Sequence, residues 1–302
     1  MEEEEEKQSN NSENFCLSVV LLYEDNETKQ KKGKKQKEVR KFIMKIDTHC
    51  HFTEGSIDAL VTLEEAIQRL YQFNFDGMII TDHNSLKAWD KLKKDKNLNK
   101  LLVETGIRVF RGVEYDTCNA GHIIVILPEN ANDFVYNFKG MRIQDLIKLV
   151  HKQGGILGPA HPTHFGRLGI YNTKLGKTDI YRNFDFIEGY NASVGGRTEP
   201  EMEKIAKLYN LPLLGGSDSH KLCNVGKGYT ELSVGKDKIC TTQELIEYLK
   251  TRPKTKVGGY SAKTAMYNRH KVLGNAAMFM CIASNKLKGK LNEKVFKDHL
   301  RE

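Results

Sequence analysis

Short apolar runs alternate with amphipathic stretches along most of this chain. Phe42 to Ile46, Gly77 to Thr81, Arg108 to Glu114, His122 to Leu127, Gly155 to Ala160, Phe184 to Tyr190 and Pro212 to Gly216 read as strands, each a brief apolar run bounded by turn-forming residues. Between them, Thr62-Leu63-Glu64-Glu65 is a capping box that opens a helix with the apolar stripe Leu63, Ala66, Ile67 and Leu70. Arg142 to Gln153 repeats the helical period through Ile143, Leu146, Ile147 and Val150. Pro200 to Tyr209, with Met202, Ile205, Ala206 and Leu208 on its buried side, and Thr242 to Leu249 give two more helices. Strands alternating with helices predict βα units around a parallel sheet or barrel. No internal repeat is visible.

Composition sets the limits of that picture. The 302 residues, 39% hydrophobic and 28% charged, suffice for one large α/β core with tails. Residues 1–41 form a low-complexity charged extension, a Glu run followed by a Lys run, and only Phe15 to Tyr23 within it has strand character; disorder is expected. Residues 42–255 form the folded domain, and residues 256–302 a basic, largely helical extension. The net charge of +8 sits mostly in Lys29 to Lys41 and Lys286 to Lys297, which reads as a solvated tail and helix face rather than a polyanion site. Phe15 to Leu22 is too short to cross a bilayer and follows glutamates, so neither a membrane partner nor a secretion signal is expected. The cysteines Cys16, Cys50, Cys118, Cys223, Cys240 and Cys281 are scattered without a C-x-x-C pair, which suits a reducing compartment. Cytoplasmic residence is expected, with the run Lys31 to Lys37 open to reading as a nuclear-import signal or nucleic-acid tether.

The chemistry gathers where strands end. In Asp47-Thr48-His49-Cys50-His51, alternation along a strand places Asp47, His49 and His51 on one face. Thr81-Asp82-His83-Asn84, Ala160-His161-Pro162 and Gly216-Ser217-Asp218-Ser219-His220 end other segments in the same way. The candidate ligands are His49, His51, Asp58, His83, Glu114, His122, His161, Asp218 and His220; of the 10 histidines only His151, His164, His270 and His299 fall outside them. Buried imidazoles and carboxylates at this density are costly unless paired or metal-bound. Mixed nitrogen and oxygen ligands suit manganese, zinc or iron, and so many ligands call for two or three divalent ions. The alternative is a buried hydrogen-bond network without metal.

The motifs DTHCH, TDHN, GVEYDT followed by GHIIVI, AHP and GSDSH, in this order from Lys45 to His220, resemble those of the PHP (polymerase and histidinol phosphatase) superfamily of metallophosphoesterases. Gly226 to Glu231 with Thr241 to Lys250 resembles the segment that closes small PHP phosphoesterases. The resemblance implies a distorted seven-stranded β/α barrel, TIM-like, with a di- or trinuclear site at the C-terminal mouth of the strands. It implies one ion held by His49, His51, Glu114 and Asp218, a second by Glu114, His122 and His161, and a third by Asp58, His83 and His220, with Glu54 as the alternative to Asp58. Asp47 and Asp82 are expected to orient ligand imidazoles through the far ring nitrogen, or else to cap strands. Arg197 is the expected phosphate contact and Arg167 a second, since guanidinium matches phosphate bidentately. Trp89, Tyr115 and Tyr190 are available for stacking on a base, though Trp89 is spaced from Leu86 and Leu92 as a packing residue.

The implied activity is hydrolysis of a phosphomonoester or terminal phosphodiester of a nucleotide, nucleic-acid end or small phosphorylated metabolite. Ions at the site lower the pKa of bound water to give the nucleophile, and the leaving group takes a proton from His164 or a metal-bound water. The span from His122 to His161 is too short for the helical insertion of some PHP nucleotide and RNA phosphatases, so their substrates do not transfer. DTHCH also resembles TatD-type nucleases, while TDHN and the Asp218/His220 pair favour PHP. The rival expectations are a TatD-like or amidohydrolase-type metal hydrolase and a non-catalytic metal-binding module tethered to a nucleic acid or protein partner.

Overall fold

The computed structural model describes residues 42–132, 134–164, 168–197, 200–261, 280 and 283–301. The expectations for the extension 1–41, for its Phe15 to Tyr23 and Lys31 to Lys37 runs, and for Arg167 lie outside the described residues.

Three sheets share one core. The first has the order β11-β10-β1-β2-β3, from β1 (Met44–Cys50), β2 (Gly77–Ile80), β3 (Arg108–Phe110), β10 (Gly228–Leu232) and β11 (Thr255–Gly259). Its β1–β2 and β2–β3 ladders are parallel, whereas β10 runs antiparallel to both β1 and β11. The second sheet is an antiparallel meander of β4 (Gly112–Asp116), β5 (His122–Ile126) and β6 (Ile156–Pro159). The third sets β7 (Ile187–Asn191) parallel to β9 (Leu213–Gly216) and antiparallel to the short β8 (Gly196–Arg197). Met44, Ile46, Ile79, Phe110, Ile126 and Leu214 bring all three sheets into one buried cluster. The run β2, Gly-Met-Ile-Ile, is buried throughout, as a strand covered on both faces must be.

The expected seven-stranded barrel is not closed: among the described residues the ladders form three separate sheets. The expectation of parallel βα units fails at β4 and β5 because residues 117–121 are too few for a crossover. Thr117 N–H donates to Gly121 O at 3.0 Å, and Gly121, at φ +74, turns the chain straight back. The run Arg108 to Glu114 also divides at Arg111, whose buried guanidinium is spent on the carbonyls of Pro128 and Ala131 while its N–H donates to Thr242 Oγ1.

The helices follow their start signals. α1 (Leu63–Gln72) opens with the Thr62/Glu65 capping box and buries Leu63, Ala66, Ile67 and Leu70. α2 (Lys87–Lys94) and α3 (Lys96–Thr105) lie in a Lys-rich stretch and contribute Ala88, Trp89, Leu92, Leu98 and Leu102 to the same cluster; Trp89 is a packing residue. α4 (Ile143–Lys152) and α5 (Pro200–Leu208) cover the other side, and α6 (Thr242–Lys250) opens with a second capping box, Thr241/Glu244. β11 runs past the expected boundary at residue 255, so the sheet continues to Gly259. Residues 283–291 are helical, and α7 (Glu293–Arg301) buries Phe296 in the cluster that contains Tyr136.

Candidate metal centre

The site lies where β1, β2, β4, β6 and β9 end. β1 carries His49 and His51 to the centre through a bulge, since Asp47 pairs with Met78 but Cys50 with Ile80. That extra residue breaks the simple alternation, and of its two expected roles Asp47 takes the capping one. Its carboxylate turns to the backbone, accepting from the N–H groups of Ser217 (2.8 Å), Gly226 (3.1 Å) and His49 (3.3 Å), and bonds no imidazole. Burial pushes its pKa up to about 6 despite these bonds. It ties the end of β1 to the loop after β9. Gly216 permits that approach, because a Cβ there would stand 2.4 Å from His49 Cβ.

Four ligand atoms meet at the centre. His49 Nε2 and His51 Nε2 are 3.1 Å apart. Glu114 Oε2 lies 3.4 and 3.3 Å from them, and Asp218 Oδ1 lies 3.6 and 3.2 Å from them. The other Glu114 oxygen, Oε1, faces His122 Nδ1 at 3.1 Å and His161 Nε2 at 3.0 Å. Toward solvent, Asp58 Oδ2 lies 3.7 Å from His83 Nε2 and 3.4 Å from His220 Nε2. All nine candidate ligands are thus contiguous, with Glu114 between the first two clusters. Glu54 is placed elsewhere: its carboxylate pairs with Lys91 Nζ at 2.9 Å and accepts from Leu63 N–H.

Hydrogen bonds set which ring nitrogens face inward. His49 Nδ1 donates to Glu188 Oε1 at 2.8 Å, and His51 Nδ1 has Ser56 Oγ at 3.4 Å, which leaves both Nε2 atoms to present lone pairs to each other. With both rings in this tautomer, two lone-pair nitrogens 3.1 Å apart, each within 3.6 Å of a Glu114 and an Asp218 oxygen, require a proton or a cation. Burial works against a charged His49, yet the Glu188, Asp218 and Glu114 carboxylates outweigh it and hold its pKa well above the ordinary value. Burial and the neighbouring His83 push His51 down to about 3. The carboxylates call for positive charge that only one of the paired imidazoles can carry, and this donor set fits divalent ions. Four overlapping groups have the reach to hold one: His49/His51/Glu114, Glu114/His122/His161, His51/His83/His220 and His83/Asp116/His122.

Strained backbone gathers here too. His161, Asp218 and Asn84 adopt positive φ of 27, 51 and 47°, conformations that non-glycine residues hold only when their surroundings fix them. His161 N–H donates to Glu188 Oε2, and Asp218 N–H to His49 O at 2.7 Å. Asn84 N–H donates to Glu114 O, and its Oδ1 accepts from Asp116 N–H, so the TDHN turn grips the strand that carries Glu114.

Asp82 likewise takes the capping role. Its Oδ1 accepts from Phe52 N–H and Ser56 Oγ–H, and only through Ser56 does it reach the His51 ring. His164 stands beside the second cluster, its ring centroid 5.1 Å from that of His161. Arg197 lies on β8 in register with Tyr190. Tyr115 is fully buried and bonds Phe138 O, which removes it as a stacking surface. Glu188, Asn191 and Asp116 are not among the expected site residues. Asn191 Nδ2 donates to Glu188 Oε2 at 3.0 Å and Asp218 Oδ2 at 3.2 Å. The signal for Asp116 was its place two residues beyond Glu114 on one strand face; Glu188 gave none beyond being a carboxylate in an apolar strand.

Strand ends that converge imidazoles and carboxylates in this way make the donor set of a metal centre. The sequence model of the PHP domain matches residues 47–197, and that of the PHP-associated region matches residues 200–252. The chain belongs to the PHP domain family. No curated protein matches it in sequence. Among solved structures, a two-domain protein from Bacteroides vulgatus containing a predicted PHP-like metal-dependent phosphoesterase is similar with a TM-score of 0.53 and 18% identity, over 72% of this chain and 65% of that one. PsfC from Pseudomonas syringae is similar at 0.49 and 19% over 78% and 97% of the two chains. Endonuclease Q, in complex with a duplex bearing an abasic lesion, is similar at 0.49 and 15% over 71% and 58%. The first likeness is one of fold. No described helix is long and apolar enough to cross a membrane.

Proposed function

We propose that this chain is a metal-dependent phosphoesterase that hydrolyses a phosphomonoester or terminal phosphodiester, of a nucleotide, a nucleic-acid end or a small phosphorylated metabolite. The observation that carries this reading is the approach of Glu114 Oε2 and Asp218 Oδ1 to within 3.2 to 3.6 Å of His49 Nε2 and His51 Nε2, themselves 3.1 Å apart, with the second Glu114 oxygen turned to His122 and His161. In this reading His49, His51, Glu114 and Asp218 hold one divalent ion, Glu114, His122 and His161 a second, and Asp58, His83 and His220 a third. Manganese, zinc and iron suit the ligands. Such ions, when bound, supply Lewis-acid charge to a phosphoryl oxygen and lower the pKa of water.

The chain's own groups do the rest. Glu188 and Ser56 fix the His49 and His51 rings from behind, so the lone pairs meet with no reorganisation. Arg197 neutralises the non-bridging phosphate oxygens, with Arg167 as a second contact. In this reading His164, whose ring lies beside that of His161, gives a proton to the leaving group.

Elemental analysis after manganese loading, run with hydrolysis of p-nitrophenyl phosphate, nucleotide phosphates and labelled oligonucleotides, tests the reading. The expected result is more than one ion per chain and turnover on a phosphoester, with Arg197→Ala keeping its metal while kcat/KM falls by about 2 to 4 kcal/mol of transition-state stabilisation. A protein that binds no ion overturns the reading. Ions without phosphoester turnover leave a metal-binding module, and turnover only on another bond makes it a hydrolase of a different kind.

A further inference from the structure

Asp47 and Asp82 serve backbone N–H groups and Ser56, but Asp116 is a buried carboxylate at the site to which neither the fold nor the proposed function has yet given a task. It lies two residues beyond Glu114 on β4, is 6% exposed, and sits opposite His122 in the β4–β5 register. Its backbone is pinned on both sides. The N–H donates to Asn84 Oδ1 at 2.9 Å, and the carbonyl accepts from Gly140 N–H at 2.8 Å. Oδ2 faces Lys139 Nζ at 3.9 Å. Oδ1 makes no hydrogen bond of ordinary geometry, yet lies 3.5 Å from His122 Nε2 and 3.6 Å from His83 Nδ1.

The far side of each ring decides what those contacts are. His122 turns its Nδ1 to Glu114 Oε1 at 3.1 Å, and His83 turns its Nε2 to Asp58 Oδ2 at 3.7 Å, so each ring has one nitrogen in a proposed ligand cluster and the other toward Asp116. A neutral imidazole has one lone pair and one N–H. If the lone pairs serve ions, the N–H groups point at Asp116. His83 Nδ1 also has Glu114 Oε2 at 3.2 Å, but in the proposed function that oxygen serves the central ion.

We infer that Asp116 is a positioning residue that accepts hydrogen bonds from His83 Nδ1–H and His122 Nε2–H together, and so fixes the second and outer clusters relative to each other. The inference rests on the metal-dependent reading above. A closure of about half an ångström brings both contacts to hydrogen-bond length, the sort of tightening that loading a site produces. One carboxylate then orients ligands of two ions, and a change at Asp116 reaches both while sparing the central one. The competing arrangement is a further ion held directly between His83, Asp116 and His122, which would pull both rings out of their clusters.

Equilibrium manganese titration of the full chain, with ion counts by elemental analysis, separates these arrangements. Wild type, Asp116→Asn and Asp116→Ala are compared, the isosteric Asn variant guarding against a folding defect. Asp116→Ala is expected to keep the wild-type number of ions at saturating manganese but to weaken two of its sites by roughly 10- to 100-fold. Asp116→Asn, whose amide oxygen still accepts, should recover part of that loss. Unchanged affinities in both variants overturn the inference alone. Loss of one ion at saturation makes Asp116 a ligand and overturns it too. A wild-type chain that takes up no manganese overturns both this inference and the function it rests on.

Discussion

The central cluster of His49, His51, Glu114 and Asp218 and the outer cluster of Asp58, His83 and His220 use the same chemistry on different supports. The central four are 0 to 8% exposed and stand at strand ends, held by the β1 bulge, by the close approach of Gly216 and by bonds to Glu188 and Asn191. In the outer three, the side chains of Asp58, His83 and His220 are 53, 24 and 28% exposed, and Asp58 lies in a stretch with no regular element. Folding itself therefore assembles the central cluster in a low dielectric, whereas the outer one depends on a loop that water already solvates. In the proposed function the first holds its ion tightly, and the second exchanges.

Glu114→Ala strikes the comparison hardest. It removes the carboxylate shared by the first two clusters and leaves buried imidazoles unmatched, so loss of both ions is expected, with at least about 1,000-fold in kcat/KM. The metal-free fold should lose about 3 to 5 kcal/mol, the scale of breaking a buried charge set, as read by denaturant unfolding. Retention of the full ion count would show that Glu114 is not shared.

Gly216→Ala addresses the support rather than the ligand. The new Cβ meets His49 Cβ at 2.4 Å and His49 N at 2.5 Å, so the fold should lose about 1 to 3 kcal/mol, and the central ion should weaken while the outer one does not. Equal weakening of both would mean that the two clusters are not separately supported. Chelation gives a milder test: dialysis against a chelator should strip the ions in two stages, the first with little change in Tm. Single-stage loss would break the distinction.

The sequence carried more of the site than of the architecture. Ligand types at strand ends are local signals, and DTHCH, TDHN and GSDSH each declare themselves within a few residues. Long-range geometry was less legible. Nothing in GVEYDT and GHIIVI read as separate strands reveals a hairpin, until residues 117–121 are seen to be too short for a crossover; the expectation of parallel pairing fails there. Simple alternation faces Asp47 with the histidines, and the bulge that alters it has no sequence signature of its own. Glu188 escaped because its partner, His49, is 139 residues away. The helices α2 and α3 were hidden by lysines, which cover an apolar face as narrow as Trp89 and Leu92 in α2.

The smallest expected effect decides between two neighbouring carboxylates, both of which the sequence left open as a ligand. Glu54 accepts from Leu63 N–H at the start of α1 and pairs with Lys91 Nζ at 2.9 Å, so its charge serves a helix N-terminus and a cation. Asp58 faces the two outer histidines, and burial opposes but does not cancel the His220 hydrogen bond that holds its pKa below the carboxylate range. Asp58→Ala should therefore lower outer-site manganese affinity by roughly 10-fold, with little change in unfolding free energy. Glu54→Ala should leave every ion in place and cost about 0.5 to 1.5 kcal/mol of stability, the net value of a hydrogen bond lost at a helix start. The two variants thus move opposite observables, one in titration and the other in denaturant unfolding. If Glu54→Ala weakens manganese while Asp58→Ala does not, the two carboxylates exchange roles and the outer cluster is built on the other side of its loop.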